Sequence, residues 1–275
     1  MRAIRGLSAS GATTRSLPRM RSLSVAKPNS PVLGPTVWIG RMGKQVAKLK
    51  VMCARSMHQV VGALTDAFRR STGHEVELSF GTVGALQKRL DAGEIADVLI
   101  LGAPAIDKLA KAGAVGAATD IATTSVGIAV RDGATPPDVS TPEAFKSALI
   151  AARKVAFSDA AVGGSAGVYL AKLFVEMGLA DEIARKGMPQ QSGGEVATRV
   201  AHGEADIGMT LIAEIVPIKG ARVIGPLPAP LGNDTTYAAA VTTDGSAHDA
   251  GEVFIRALTQ PSARGAWEAA GFMLP

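Results

Sequence analysis

The chain has 275 residues, 47% of them hydrophobic, and a formal net charge of +5. It is too long for a small stapled domain and carries enough apolar material for two ordinary cores. One cysteine, Cys53, excludes a disulfide framework and a Cys-rich metal site; the histidines, His58, His74, His202 and His248, are scattered without metal-ligand spacing. No apolar run reaches the roughly 18 residues that a membrane-crossing helix needs.

The positive charge is local. The first acidic residue is Asp66, and eleven basic residues precede it, from Arg2 to Arg55. Taking those 11 from the total of 29 leaves 18 basic residues against 24 acidic ones, so the rest of the chain is mildly acidic. A nucleic-acid partner therefore loses its electrostatic support.

Residues 1–45 are rich in Arg and Ser, lack acids and carry prolines at 18, 28, 31 and 35. Such a composition buries too little apolar surface to order itself. It suits a disordered or targeting leader, or an over-extended start with Met42 as the true beginning; a secretory signal fits less well, because the apolar stretch from Pro31 holds two prolines.

From Val46 strands and helices alternate. "AKLKVMCA" reads as a strand, Ser56 as an N-cap, and "MHQVVGALTDAFRRSTG" as a helix with Val60, Val61, Leu64 and Phe68 at helical spacing, closed by Gly73. "HEVELSF" alternates as a strand, "VGALQKRLDAG" is a helix, "ADVLIL" suits a buried parallel strand, and "APAIDKLAKAGAV" is a third helix. This order marks a parallel sheet with crossover helices. A longer β-rich stretch, "AATDIATTSVGIAVRDG", follows. "TPEAFKSALIAA" is a helix with Thr141 as cap and Pro142 at its first position. Next come the strand "KVAFSD", the long helix "SAGVYLAKLFVEMGL", the helix "GEVATRVAHGEAD" and the strand "IGMTLIAEI" ending in a turn. "RVIGPLP" and "YAAAVTT" are strands, and "SAHDAGEVFIRALTQ" and "PSARGAWEAAGF" are closing helices. The expected domains are two α/β lobes, 46–122 plus 230–275 and 125–225.

Three places share one design. At "ARSMHQ", "FGTVGAL" and "VGGSAGVYL" a small hydroxyl residue, Ser56, Thr82 or Ser165, stands where a helix begins. Helix starts carry unpaired N–H groups and about half a positive charge, which favours anions. Glycines 81, 84, 163 and 164 allow close approach to the backbone. The plainer reading is three ordinary N-caps; their spread over both halves favours a shared anionic ligand.

"SFGTVGALQKRLDAGEIADVLILGAPAIDKLAKAGAV" resembles the substrate-binding proteins of ABC transporters for molybdate and related anions, type II periplasmic binding proteins. "GEADIGMTLIAEI" and "FIRALTQPSARGAWEAAGF" are similar to later segments of that family, so the likeness runs from about residue 48 to the end. The resemblance implies an α/β fold of two lobes with two hinge crossings, a ligand in the cleft between them, and no cofactor or metal. By position it implies Ser56 and Thr82 as ligand hydroxyls in one lobe, with 160–166 and 209–211 closing from the other; the expected ligand-binding residues are Arg55, Ser56, Thr82, Val83, Gly164, Ser165, Ala166 and Thr210. The resemblance also implies a location in the periplasm, with an ABC permease and its ATPase as partners; a monomer is expected, and the charge balance already argues against nucleic acid. The unclear leader keeps a cytoplasmic location open.

Two departures bear on the ligand. Leu211 stands where molybdate binders tend to carry a Tyr, and Arg55 precedes Ser56 where small residues are usual. A guanidinium suits a carboxylate better than a tetrahedral oxyanion held by neutral donors. The wider group includes an aconitate isomerase, so the reading is capture of a small oxyanion or organic anion for transport, with isomerisation of a tricarboxylate as the alternative. A rival hydrolase reading rests on "GGSAG", which fits the nucleophile elbow; but a five-residue loop separates it from its strand, and its histidine would have to be His248. Glu94 and Asp97 read as structural acids rather than an acid–base pair, and Cys53 as a small buried apolar residue.

Overall fold

A computed structural model describes residues 46–275; the leader, and with it the question of Met42, lies outside the described residues. The first half runs β1 (Lys48–Ala54), α1 (His58–Thr72), β2 (Glu75–Gly81), α2 (Val83–Asp91), β3 (Val98–Gly102) and α3 (Ala103–Lys111). β1 pairs in parallel with both β2 and β3. The three strands are consecutive βαβ units, so helices cover their faces and the apolar runs, such as the wholly buried β3, read continuously. Asp97 is nearly fully buried ahead of β3 and accepts from the N–H groups of Lys50, Ser246 and Ala247. Glu94 pairs with Arg89. Both acids are structural.

β4 (Thr119–Arg131) is the long strand of the molecule. Its first part, up to Ser125, pairs with β9 (Asp234–Val241); from Val126 onward it pairs with β7 (Ile207–Leu211) and β8 (Ala221–Pro226). The chain thus crosses into its second half along β4 and returns through the segment between β8 and β9. The second half contains α4 (Pro142–Ala151), β5 (Val155–Ser158), α5 (Ser165–Glu176), α6 (Ala180–Lys186), β6 (Gly187–Gln190), α7 (Gly193–Ala201) and α8 (Ile212–Ile215). Here β5 lies parallel to β6 and β7. The strand order is β2-β1-β3-β9-β4-β7-β5-β6, with β8 attached to β4.

The closing helices α9 (His248–Thr259) and α10 (Arg264–Ala269) return to the first half. Phe254 packs edge-on to Phe68 with ring centres 5.1 Å apart, and the indole of Trp267 is buried and donates to Leu258 O. Such fully buried aromatic rings dominate core energetics.

Two elements have no counterpart in the sequence reading: α6 and β6. β6 is four residues long and contains Pro189. Proline cannot donate to a ladder, so it reads as a break, yet at the sheet edge one side of the strand needs no partner.

Candidate ligand-binding site

The ends of β1, β2, β5 and β7 face one another across a cavity of about 60 Å³. That is several times the roughly 10–15 Å³ needed by a single water. Gly84 and Gly163 approach each other: a Cβ on Gly84 would lie 3.8 Å from Gly163 O.

The three hydroxyl positions all line this cavity, with different local roles. Thr82 is the N-cap of α2; its Oγ1 accepts from Ala85 N–H at 3.2 Å. Ser56 caps nothing. It lies inside a 3-10 turn, Arg55–Met57, which precedes α1, and its Oγ is 2.7 Å from the Tyr237 hydroxyl. Ser165 is the first residue of α5, whose N-cap is Gly164, and Ser165 Oγ accepts from Thr235 Oγ1 at 3.1 Å. Gly164 supplies no side-chain acceptor, so the first N–H groups of α5 face the cavity without a cap.

Of the other expected residues, Arg55, Val83 and Ala166 also line the cavity, Arg55 as an exposed side chain at its rim. Thr210 lies behind the wall. It is fully buried, accepts from Ser158 Oγ at 2.8 Å and donates to Glu214 Oε2 at 2.9 Å.

Sequence reasoning missed Tyr237, Glu214 and the Gln190–Gly193 turn, all of which line the cavity. Tyr237 is buried on β9, and desolvation pushes its phenol well above the ordinary range, so it is a neutral hydroxyl. It lines the cavity from a different strand than Leu211 does. Burial likewise raises the Glu214 carboxyl above its ordinary value, while Thr210, the Gly193 N–H, Arg55 and His58 pull the other way. A lone acid inside the apolar run "IGMTLIAEIVPI" was the available signal for Glu214. The two-residue gap at Gln191–Ser192 places α7 so that Gly193 abuts this carboxyl; a Cβ there would collide with Glu214 Oε2 and Thr210 Oγ1.

No histidine lines this cavity, and Ser165 bonds a threonine rather than a base, so the nucleophile-elbow arrangement is not formed. His248 begins α9 beside a separate surface groove with His74. Cys53 is buried, and desolvation pushes its thiol up, away from nucleophilic use. Among the described residues no group of three His, Cys, Asp or Glu could hold a metal ion, and no helix is long and apolar enough to cross a membrane.

Two α/β halves joined by two chain crossings, with helix starts and strand ends lining a cleft between them, define a periplasmic-binding-protein fold of type II. Residues 49–273 match the bacterial extracellular solute-binding protein family, and the chain belongs to it. It is 30% identical over 236 residues to the aconitate isomerase of a Pseudomonas species, covering 82% of this chain and 87% of that protein. Among solved structures it resembles the periplasmic molybdate-binding protein of Azotobacter vinelandii, with a TM-score of 0.67, 22% identity, and coverage of 82% of this chain and 99% of that one. It also resembles the sulfate-binding protein of Mycobacterium tuberculosis, with a TM-score of 0.65, 18% identity, and coverage of 83% and 87%. At those identities the structural likeness speaks to the fold.

Proposed function

We propose that this solute-binding protein captures one small anion in the cleft and releases it to an ABC permease and its ATPase, by closure of two lobes spanning 46–122 plus 230–275 and 125–225. The observation that carries the reading is the convergence, on one cavity, of the capped start of α2, the uncapped start of α5 and the Ser56–Tyr237 hydroxyl pair. Preorganised N–H dipoles and hydroxyls bind an oxyanion without reorganising when it arrives. Arg55, Ser56, Thr82 and Val83 act from one side, Gly164, Ser165 and Ala166 from the other, and Thr210 supports the wall. Arg55 at the rim adds charge that steers an anion inward. The chain acts as a monomer on the periplasmic side, as its family of extracellular solute-binding proteins and its likeness to a periplasmic molybdate-binding protein support.

The test is a thermal-shift titration against molybdate, tungstate, sulfate, phosphate and di- and tricarboxylates. At a hundred times Kd a ligand adds about 2.7 kcal/mol to stability, which for a chain of this size raises Tm by several degrees. A chain that shifts with none of these anions contradicts the reading.

A second reading is favoured by one observation, the 30% identity to an aconitate isomerase over most of both chains. It makes the ligand a tricarboxylate such as aconitate, with turnover as well as capture. Interconversion of cis- and trans-aconitate followed by ultraviolet absorbance checks it directly: turnover establishes the second reading, and a shift with aconitate without turnover leaves the first.

A further inference from the structure

Capture of an anion does not call for an acid in the wall, yet Glu214 is there. It stands on α8, just beyond β7, and lines the cavity. Ser158 Oγ donates to Thr210 Oγ1, and Thr210 Oγ1 donates to Glu214 Oε2, so a chain of hydroxyls ends on the carboxyl. Gly193 brings the backbone against the same oxygen with no room for a Cβ. These donors orient the carboxyl without filling it, since two oxygens offer about four acceptor sites. A second cavity of about 130 Å³, lined by His58, Gln59 and Phe272, shares Arg55, Ser56, Ser192 and Glu214 with the first. The carboxyl therefore stands between the two cavities.

An entering anion thus meets an acceptor on this wall. Two like charges sharing a site disfavour each other's ionised form. We propose that one proton lies between Glu214 and the bound anion, so that the pocket is proton-linked: an anion with its own acidic hydrogen, of the hydrogen-phosphate or hydrogen-carboxylate class, binds as it stands, and a fully ionised one binds only as Glu214 takes up a proton. This rests on the cleft being an anion site and specifies the protonation form that it takes.

The groups facing the carboxyl are few. Arg55 comes from the turn before α1, His58 from the first position of α1, and Tyr237 from β9. α7 contributes the Gly193 N–H, while its Glu195 accepts from Gln191 N. β7 brings no charge. On β4, Asp120 is exposed and Arg131 lies against Gly203; on β8, Arg222 bonds Ala134 O. Among the described residues, the one permanent cation acting on the carboxyl is Arg55, exposed and therefore screened by salt. Burial works in the same direction as the proposal, because it favours the protonated carboxyl.

Calorimetric titration of the full chain with sulfate, phosphate and trans-aconitate, between about pH 5 and pH 9 in buffers of different ionisation heat, tests this through linked proton uptake. On the alkaline limb, sulfate affinity should fall about tenfold per pH unit, with uptake approaching about one proton per anion. Trans-aconitate, ionised at that limb, should behave in the same way. Phosphate, which keeps an acidic hydrogen throughout, should take up none there. Glu214→Gln should flatten the sulfate slope, and His58→Gln should keep it. Sulfate that binds with equal affinity at both ends and no proton uptake overturns the proposal, as does a slope lost in His58→Gln but kept in Glu214→Gln. The wild-type buffer comparison stands even if a variant fails to fold. Failure of every probe to bind overturns the anion reading itself, and this proposal with it; binding without uptake overturns this proposal alone.

Discussion

Helix α2 begins under Thr82, whose Oγ1 accepts the Ala85 N–H; helix α5 begins under Gly164, which has no side chain to do the same. Both starts face one cavity. The first spends a hydroxyl on its own stability and offers what remains. The second leaves its first turn open and relies on Ser165, held by Thr235, beside it. A capped start is a structural device that also touches the ligand; an uncapped start facing a cavity leaves donors whose natural partner is an anion. The difference separates residues whose loss unfolds from residues whose loss unbinds.

The largest effect should come where the two roles cannot be separated. Gly193→Ala places a Cβ onto Glu214 and Thr210. It should cost about 1–3 kcal/mol of stability, as overpacking does, and should remove anion binding, both read by thermal denaturation with and without ligand. Tyr237→Phe comes next. It deprives Ser56 of its partner and should cost about 0.5–1.5 kcal/mol, together with a clear loss of affinity in a titration.

The helix-start comparison is sharpened by a pair of variants. Thr82→Ala should lower stability by about 1 kcal/mol, the usual worth of a cap. Ser165→Ala should leave stability within about 0.5 kcal/mol of wild type, because Gly164 and not Ser165 holds the cap position. Both should weaken anion binding. Equal stability losses in the two would break the distinction.

The smallest effect is on the pH profile. The folded-state pKa of Glu214 is raised by burial, so between its ordinary value and that raised value the native chain holds more protons than the unfolded one. Stability contributed by this group is therefore greatest in acid and declines as pH climbs through that window. Glu214→Gln should match wild type in acid and gain relative Tm as pH rises; a gain that shrinks with rising pH would show that the group is not held in its neutral form.

Much of this molecule is legible in its residues. The repeating β1-α1-β2-α2-β3-α3 order follows from apolar runs punctuated by Gly73, Gly93 and Gly113, each of which adopts a positive φ that other residues avoid. Thr82 and Thr141 were readable as caps because a cap acts within three residues, and both accept from the N–H three positions on. Ser56 looks the same in sequence and does something else, since its partner, Tyr237, is 181 residues away. β6 was hidden by Pro189, which an edge position tolerates.

The sequence by itself determined the local alternation of strands and helices, the small hydroxyls at their junctions and, by resemblance, the family. Those signals act over a few residues, through backbone sterics, capping and periodic burial. Only the tertiary structure decided that β4 changes partners at Ser125–Val126, that Tyr237 comes to Ser56, and that a half-buried acid joins the donors around the cavity. Those outcomes depend on which distant surfaces are desolvated together, and no short stretch of residues contains that information.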